Sequence, residues 1–558
     1  MSEPEALSLS RGKTMVFRLV AILISVLGLA LIEVGFRLFS ADAPASDPYV
    51  NISPFSIFSR GRLHGQDYYR ITHRYGYANR KTTFPVQKPA NGIRVIALGG
   101  SACASWPHPA EETFDRYLEQ ALRAAYPDQI VEVINAAAHG FASYRVRRIF
   151  DEILPLAPDA VIIYSGNNEF LERREYSLSG RSLAEALSRN LHVVRWLRGR
   201  FARPKTELPG EELKDVAMFF WKKAKQEALE LREDPAKFAK VKAHYAASIE
   251  YMLEEAGKRG IPVLLFTVPV NLRDWLPTVS HSSPEAERRQ EWQRWYHLGQ
   301  RGLLQNEVAE GIQSMRRAIE LEPEHAESHF WLGRLLELDG QTDPALASYK
   351  RARDLDYNPF RAHGEFNSTL RQIADLHDHV LLVDLASEFE RLSERGIPGF
   401  DLFLDYVHPN KRGNLAIAKA AFHTLVQDGV LPAAPRTLEF RRRDLPYGPE
   451  GKVYDEEADL KLQHRMFRIY ALNHQHQAAI DKVEDLVWLA TGQRVEGDPA
   501  NLPLSLRRQL REGYRTLQHY EAVRRRDILG LSVDPTEREA VKREMEAFYD
   551  KWYDYGSF

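Results

Sequence analysis

The chain holds one cysteine, Cys103, among 558 residues, so no disulfide can form within it. It has neither a CxxC nor an HExxH, and its 19 histidines show no metal-ligand spacing. No metal is expected, and no motif calls for another cofactor. It also lacks an excess of one charge: 75 Lys and Arg stand against 77 Asp and Glu, a net charge of −2. The basic footprint that nucleic acid requires is therefore missing. A long uninterrupted apolar run is missing too. The nearest is "VFRLVAILISVLGLALIEVGFRLF", whose apolar core from Leu19 to Ile32 falls short of the ~20 residues of a full span.

Counted from Thr14 to Phe39, that segment becomes long enough if Arg18 and Glu33 sit near the interfaces. Arg11, Lys13 and Arg18 precede the core and only Arg37 follows it, so the positive-inside bias puts the N-terminus in the cytoplasm. The expectation is a single-pass signal anchor over 14–40, after a cytoplasmic 1–13, with the bulk of the chain on the periplasmic side of a bacterial envelope. A cleaved signal peptide ending near Ala41–Ala43 is the rival. Glu33 and Arg37 place too much polar chain between that site and the core.

What the sequence does have is 44% hydrophobic and 27% charged residues, the balance of a folded chain, at a length that implies more than one domain. Residues 41–90, rich in Tyr, Arg and Pro, read as an irregular linker. Beyond them, short apolar runs alternate with amphipathic helical stripes. "IRVIAL", "QIVEVIN", "DAVIIYSG", "GIPVLLFTVP" and "HVLLVDL" are the strands, and Phe114, Leu118, Ala121, Leu122 and Ala125 make the first stripe. This is the pattern of a mainly parallel sheet covered on both faces.

Two insertions interrupt it. Residues 171–245 read as helical and charged. Within them, "RSLAEALSRNLHVVRWLRGRFARPK" interleaves Leu and Trp with Arg, as a helix with a solvated basic face or a lid lying on a membrane surface would. Over 288–361, aligning Trp292 with Ala326 reveals a repeat of 34 residues, with Leu298 over Leu332, Gly299 over Gly333 and Ala318 over Ala352. It resembles the tetratricopeptide (TPR) pattern of paired helices, a possible protein-binding element. Tyr357 stands where the second unit's closing proline belongs, and two units alone leave apolar faces for flanking helices to cap. Residues 426–558 read as a connector and a C-terminal helical region.

The residues able to carry chemistry sit where strands end, the crevice of an open parallel sheet. Ser101 ends the first strand in "LGGS", Gly140 follows the second in "HG", and Asn168 follows the third in "GNNE". Asp405 and His408 lie in "DYVHPN", after the last strand. A serine hydroxyl needs a base, a histidine base needs a carboxylate to hold its tautomer, and a tetrahedral intermediate needs N–H donors. Each residue also has a plain reading: Ser101 as a helix cap, Gly140 and Asn168 as turn residues, His408 as a structural histidine. Beside them, His139 reads as a loop histidine, Cys103 as a buried thiol, and Asp384 as a sheet-end hydrogen bonder.

Taken in order, "GGS", "HG", "GNNE" and "DYVHPN" resemble the four blocks of the SGNH (GDSL-type) hydrolases. The resemblance covers about 91–170, 240–275 and 362–425, so the hydrolase domain is expected over 91–425 with both insertions inside it. It implies a three-layer α/β/α flavodoxin-like fold, Ser101 as nucleophile with His408 and Asp405, and an oxyanion hole of Ser101, Gly140 and Asn168. The implied substrate is an acyl ester of a small molecule, lipid or acylated glycan. Two positions depart from the pattern: Gly100 stands where the family usually keeps aspartate, and Glu169 where aspartate is commoner. Two other functions fit the same residues. One is an O-acyltransferase of envelope polysaccharide; the other is a TPR-type scaffold with an inactive hydrolase fold.

Overall fold

The computed structural model describes residues 20–35 (except 22, 26 and 29), 57–71 (except 64), 83–170, 229–282, 286–357, 360–436, 466–491 (except 472 and 474) and 504–554. The chain divides into two compact units, 1–56 with 176–211, and 57–175 with 212–558. In the first, the described residues between 20 and 35 are helical, and Leu23, Ile24, Leu27 and Leu31 are exposed. No helix among the described residues is long and apolar enough to cross a membrane. The rest of the 14–40 segment, and the basic stretch 181–205, lie outside the described residues.

The second unit is built on five parallel strands: β4 (Gly92–Gly99), β5 (Ile130–Asn135), β6 (Ala160–Tyr164), β7 (Val263–Phe266) and β8 (Val380–Val383). Their spatial order is β5-β4-β6-β7-β8, every pair parallel. In this order the direction of succession reverses beside β4, the switch point of an open parallel sheet. Val95, Ile96, Ala97 and Leu98 are all 0% exposed, because helices cover both faces and alternate side chains have no solvent to point into. One helical group pairs α1 (Phe114–Ala125) with α10 (Lys411–Phe422), which also meets α9 (Leu385–Leu392). The other packs α2 (Ser143–Ile153) on α3 (Pro235–Gly257), and α3 on α8 (Gly364–Ala374).

Two boundaries differ from those the sequence suggested. The 41–90 stretch is not irregular throughout: β1 (Phe58–Leu63), β2 (Gln66–Ile71) and β3 (Thr83–Pro85) form an antiparallel sheet in that order. Phe58, Tyr69 and Phe84 meet with ring centroids 5.9 Å apart, and this small cluster replaces a long apolar run. The sheet is fastened by Arg94, fully buried, which donates to the Pro85 carbonyl (2.9 Å), the Leu156 carbonyl (2.9 Å) and Glu132 (2.8 Å). A guanidinium tolerates such burial because each of its three nitrogens donates here, one of them to a carboxylate. Secondly, residues 235–245 begin α3, the helix between β6 and β7, rather than ending an insertion. Asp234 caps it by accepting from the Ala236 and Lys237 N–H groups at 2.9 and 3.2 Å, and Pro235 takes the first turn.

The 288–361 segment folds as two helical hairpins, α4 (Ala286–Gln305) on α5 (Val308–Leu321) and α6 (Ala326–Leu338) on α7 (Thr342–Leu355). Gly302 and Gly311 let α4 and α5 touch backbone to backbone. A Cβ at Gly302 would fall 2.6 Å from Gly311 Cα and 2.8 Å from the Glu307 carbonyl oxygen. Gly302→Ala is therefore expected to destabilise the hairpin by about 1–3 kcal/mol, the usual range for overpacking. Urea denaturation followed by tryptophan fluorescence, where Trp292 and Trp295 report on α4, checks this.

Beyond residue 466, α11 (His476–Thr491), α12 (Leu504–Ile528) and α13 (Pro535–Asp554) share a second apolar cluster. It gathers Phe467, Tyr470, Tyr514, Leu517 and Phe548 around Trp275, which comes from the loop after β7. The C-terminal helices also lie against the hairpins: Arg301 of α4 donates to the Ile528 carbonyl at 3.3 Å.

Candidate active site

The site forms at the C-terminal ends of β4, β5 and β6, where the sheet's order reverses. Leaving β4, the chain turns at once: the Ala104 N–H donates to the Gly100 carbonyl, and the Trp106 N–H to the Ser101 carbonyl, both at 3.0 Å. Helix α1 begins only at Phe114, after Thr113, so Ser101 caps no helix. Its half-buried side chain faces the loop from the far end of the fold. His408 Nε2 lies 2.8 Å from Ser101 Oγ, across 307 residues of sequence. His408 Nδ1 lies 2.6 Å from Asp405 Oδ2. Asp405 is 0% exposed and His408 4%.

The carboxylate is oriented by the backbone around it. Asp405 Oδ1 accepts from the N–H groups of Val407 (2.9 Å) and His408 (2.8 Å), which leaves Oδ2 for the imidazole. The neutral tautomer matching these contacts carries its proton on Nδ1 and presents Nε2 as acceptor to the serine. Trp106 packs on His408 with centroids 4.7 Å apart, and on His139 at 5.5 Å. The loop is also tied to the serine turn: His108 Nε2 lies 2.9 Å from the Pro409 carbonyl oxygen, and Lys411 lies 2.6 Å from Glu112. Burial pushes the Glu112 carboxyl up, but His108 and Lys411 outweigh it and hold the group below the ordinary carboxylate range.

The four residues of "GNNE" divide their work. Gly166 takes φ +155°, a value side chains rarely adopt. Asn167 Oδ1 accepts from the Ala362 N–H at 2.9 Å. Asn168 Nδ2 donates to the Phe141 carbonyl at 3.1 Å, which leaves its second N–H for the cleft. Glu169, fully buried, receives the Ser143 N–H and hydroxyl, both at 2.8 Å, and so fixes the start of α2. The longer Glu spans to the helix while Asn168 stays beside the serine turn. Gly140 adopts φ +66°. Among the described residues, neither the Ser101 nor the Gly140 N–H donates to a protein acceptor. Among the described residues, the Ser101 and Gly140 N–H groups and one N–H of the Asn168 amide are thus uncommitted.

Gly100 has a reason the sequence did not show. A Cβ there would fall 2.3 Å from Asn168 Nδ2 and 3.2 Å from the Phe141 carbonyl oxygen. With Asn168 placed as it is, position 100 has no room for a side chain.

The structure brings Ser101, His408 and Asp405 into hydrogen-bond contact and sets Asn168 against the turn at Gly100, with Gly140 next in the chain to Phe141, whose carbonyl takes the Asn168 amide. Asp384 lies elsewhere, accepting from Thr267 Oγ1 (2.8 Å), Arg371 (2.9 Å) and the Ser387 N–H (3.3 Å). Cys103 is fully buried. Trp106, Asn271 and Arg361 bear on the site without having been singled out in the sequence. Trp106 had one available signal, its place five residues after the serine; the other two had none. Among the described residues no cluster of three or more His, Cys, Asp or Glu is placed to hold a metal ion.

No family model matches the chain, and no curated protein matches it. Among solved structures it is similar to the crystal structure of an acetyl xylan esterase, AlAXEase, with 14% sequence identity and a TM-score of 0.29, over 60% of this chain and 100% of that one.

Proposed function

We propose that the protein is a serine esterase of the SGNH (GDSL-type) kind, working through a covalent acyl-enzyme and held at a membrane by its N-terminal segment. The observation that carries this is the hydrogen-bonded series Ser101–His408–Asp405, at 2.8 and 2.6 Å. A 2.8 Å contact is within the reach a base needs to take the hydroxyl proton.

Ser101 Oγ attacks the acyl carbonyl as its proton passes to His408 Nε2, and Asp405 stabilises the imidazolium. The negative oxygen of the tetrahedral intermediate receives the N–H groups of Ser101 and Gly140 and the Asn168 amide. Collapse breaks the bond to the leaving oxygen, which takes the proton from His408. A water then loses a proton to His408, attacks the acyl-serine, and releases the acid with the serine restored. The membrane part of the proposal is supported by the exposed Leu23, Ile24, Leu27 and Leu31 and by the basic residues before them.

A serine-directed fluorophosphonate added to the folded full chain is expected to attach to Ser101, located by mass spectrometry of the digest. No labelling of folded protein would sink the reading and favour an inactive scaffold. Incubation with an aryl ester and a glycan is expected to give free acid. Acylated glycan as the main product would replace the esterase with an acyltransferase using the same serine.

A further inference from the structure

The loop carrying Asp405 and His408 is irregular, yet its carbonyls are taken one after another by donors from distant parts of the chain. Leu404 receives the Tyr470 hydroxyl from the C-terminal region. Asp405 receives Asn271 Nδ2 at 3.0 Å, and Tyr406 receives the Asn271 N–H at 3.0 Å. Asn271 is 0% exposed. Its Oδ1 accepts from the Asp274 N–H at 2.9 Å, and its carbonyl accepts from Arg361 Nη1 at 2.9 Å. All four of its polar functions are engaged, two of them on the residues flanking the 405–406 peptide.

Arg361 is buried in turn. It also donates to the Trp275 carbonyl at 3.1 Å and pairs with Asp356 at 3.4 Å. Asp356 receives the N–H groups of Thr278 and Val279 at 3.0 and 3.1 Å, and the Tyr357 N–H donates to the Val279 carbonyl at 2.9 Å. Residues 279 and 357 are the two ends of the helical-hairpin insertion. A continuous series of hydrogen bonds therefore runs from the base of that insertion to the backbone carbonyl of Asp405.

We infer that Asn271 is a positioning residue for Asp405, set in place by Arg361, so that the base of the hairpin insertion fixes the geometry of the triad. The inference rests on the serine-esterase reading. Asparagine suits the place because one side chain both donates and accepts: it ties a carbonyl on one segment to an N–H on another. Alanine does neither, and aspartate cannot donate. Catalytic groups must be held to within about 0.5 Å, and a loop whose Asp405 carbonyl has lost its side-chain donor, with only the backbone bond at Tyr406 left, does not meet that tolerance.

Asn271→Ala is expected to lower kcat on an aryl ester by about 10- to 100-fold with KM unchanged, as a small misplacement at the reacting groups does. Arg361→Lys, which keeps the charge beside Asp356 but loses the fork, should shift kcat in the same sense by a smaller factor. In an Asp405→Asn background, where the carboxylate's support is already gone, Asn271→Ala should change the fluorophosphonate labelling rate by less than about twofold. An equal loss in both backgrounds would mean a merely structural role and overturn the inference.

A second readout is independent of activity: the far-downfield proton of His408 Nδ1 in the NMR spectrum, assigned by its absence in His408→Ala. It should move or vanish in Asn271→Ala. If the wild type turns over ester and this proton stays unmoved, the inference falls and the esterase reading stands. If the proton moves but the wild type neither turns over ester nor labels, the positioning stands and the esterase reading falls.

Discussion

Asp405→Asn is expected to lower kcat by about four orders of magnitude, the loss typical of a triad whose histidine is left in the wrong tautomer. The geometry says why an isosteric change should be so severe. Asp405 Oδ1 accepts two backbone N–H groups, from Val407 at 2.9 Å and His408 at 2.8 Å. In the variant, only the amide oxygen can take that position, so the NH₂ must occupy the place of Oδ2, 2.6 Å from His408 Nδ1 in the native protein. Two donors cannot face each other. The imidazole therefore moves its proton to Nε2, which then cannot accept from Ser101 Oγ. The charge that would stabilise the imidazolium is lost as well. Steady-state kinetics, with Ser101→Ala as the baseline and a melting curve as the folding control, tests this. Activity within tenfold of wild type in Asp405→Asn would show that His408 does not depend on Asp405 for its tautomer.

That pair was readable in the sequence because Asp405 and His408 are three residues apart on one loop. The strands were readable for a related reason: a run such as "VIAL", with both faces covered, is apolar throughout, and "VLLF" repeats the rule. Ser101 and His408 lie 307 residues apart, and no local pattern joins them. Only the ordered blocks suggested that they meet. The small sheet at 58–85 escaped because its strands carry Arg, Tyr and Ser and are exposed or half-buried at most described positions; three aromatic rings hold it, and no periodicity announces them. The start of α3 escaped because the charged segment before it runs into the helix without a change of composition. Asn271 and Arg361 are lone polar residues whose meaning lies wholly in their partners. Gly100 looked like a departure from a motif, and its cause is an atom 68 positions away in sequence, Asn168 Nδ2.

That last contact yields a sharp expectation. Gly100→Ala should cut kcat by about 10²–10³-fold, the loss usual for one oxyanion donor. The new methyl group would need the space of Asn168 Nδ2, 2.3 Å from the ideal Cβ position. The side chain that can yield is Asn168 itself, because the other neighbour, the Phe141 carbonyl at 3.2 Å, is backbone. Swinging the amide aside breaks its 3.1 Å bond to that carbonyl and withdraws its free N–H from the cleft. Ser101 and His408 stay in place, so the variant should still label with fluorophosphonate, but slowly. Asn168→Ala should lose activity by a similar factor, and Gly100→Ala added to it should cost little more, since the donor it displaces is already gone. Asn168→Ala also vacates the space that the methyl needs. Equal, additive losses would locate the effect of position 100 in the serine turn instead. Gly100→Asp, which introduces the aspartate usual in the SGNH hydrolases that the motif resembles, should be no better than alanine, because it brings the same Cβ and places a carboxylate beside the Asn168 amide. The glycine is then a matched partner of Asn168: the narrow turn lets the amide stand against the backbone that leads into Ser101.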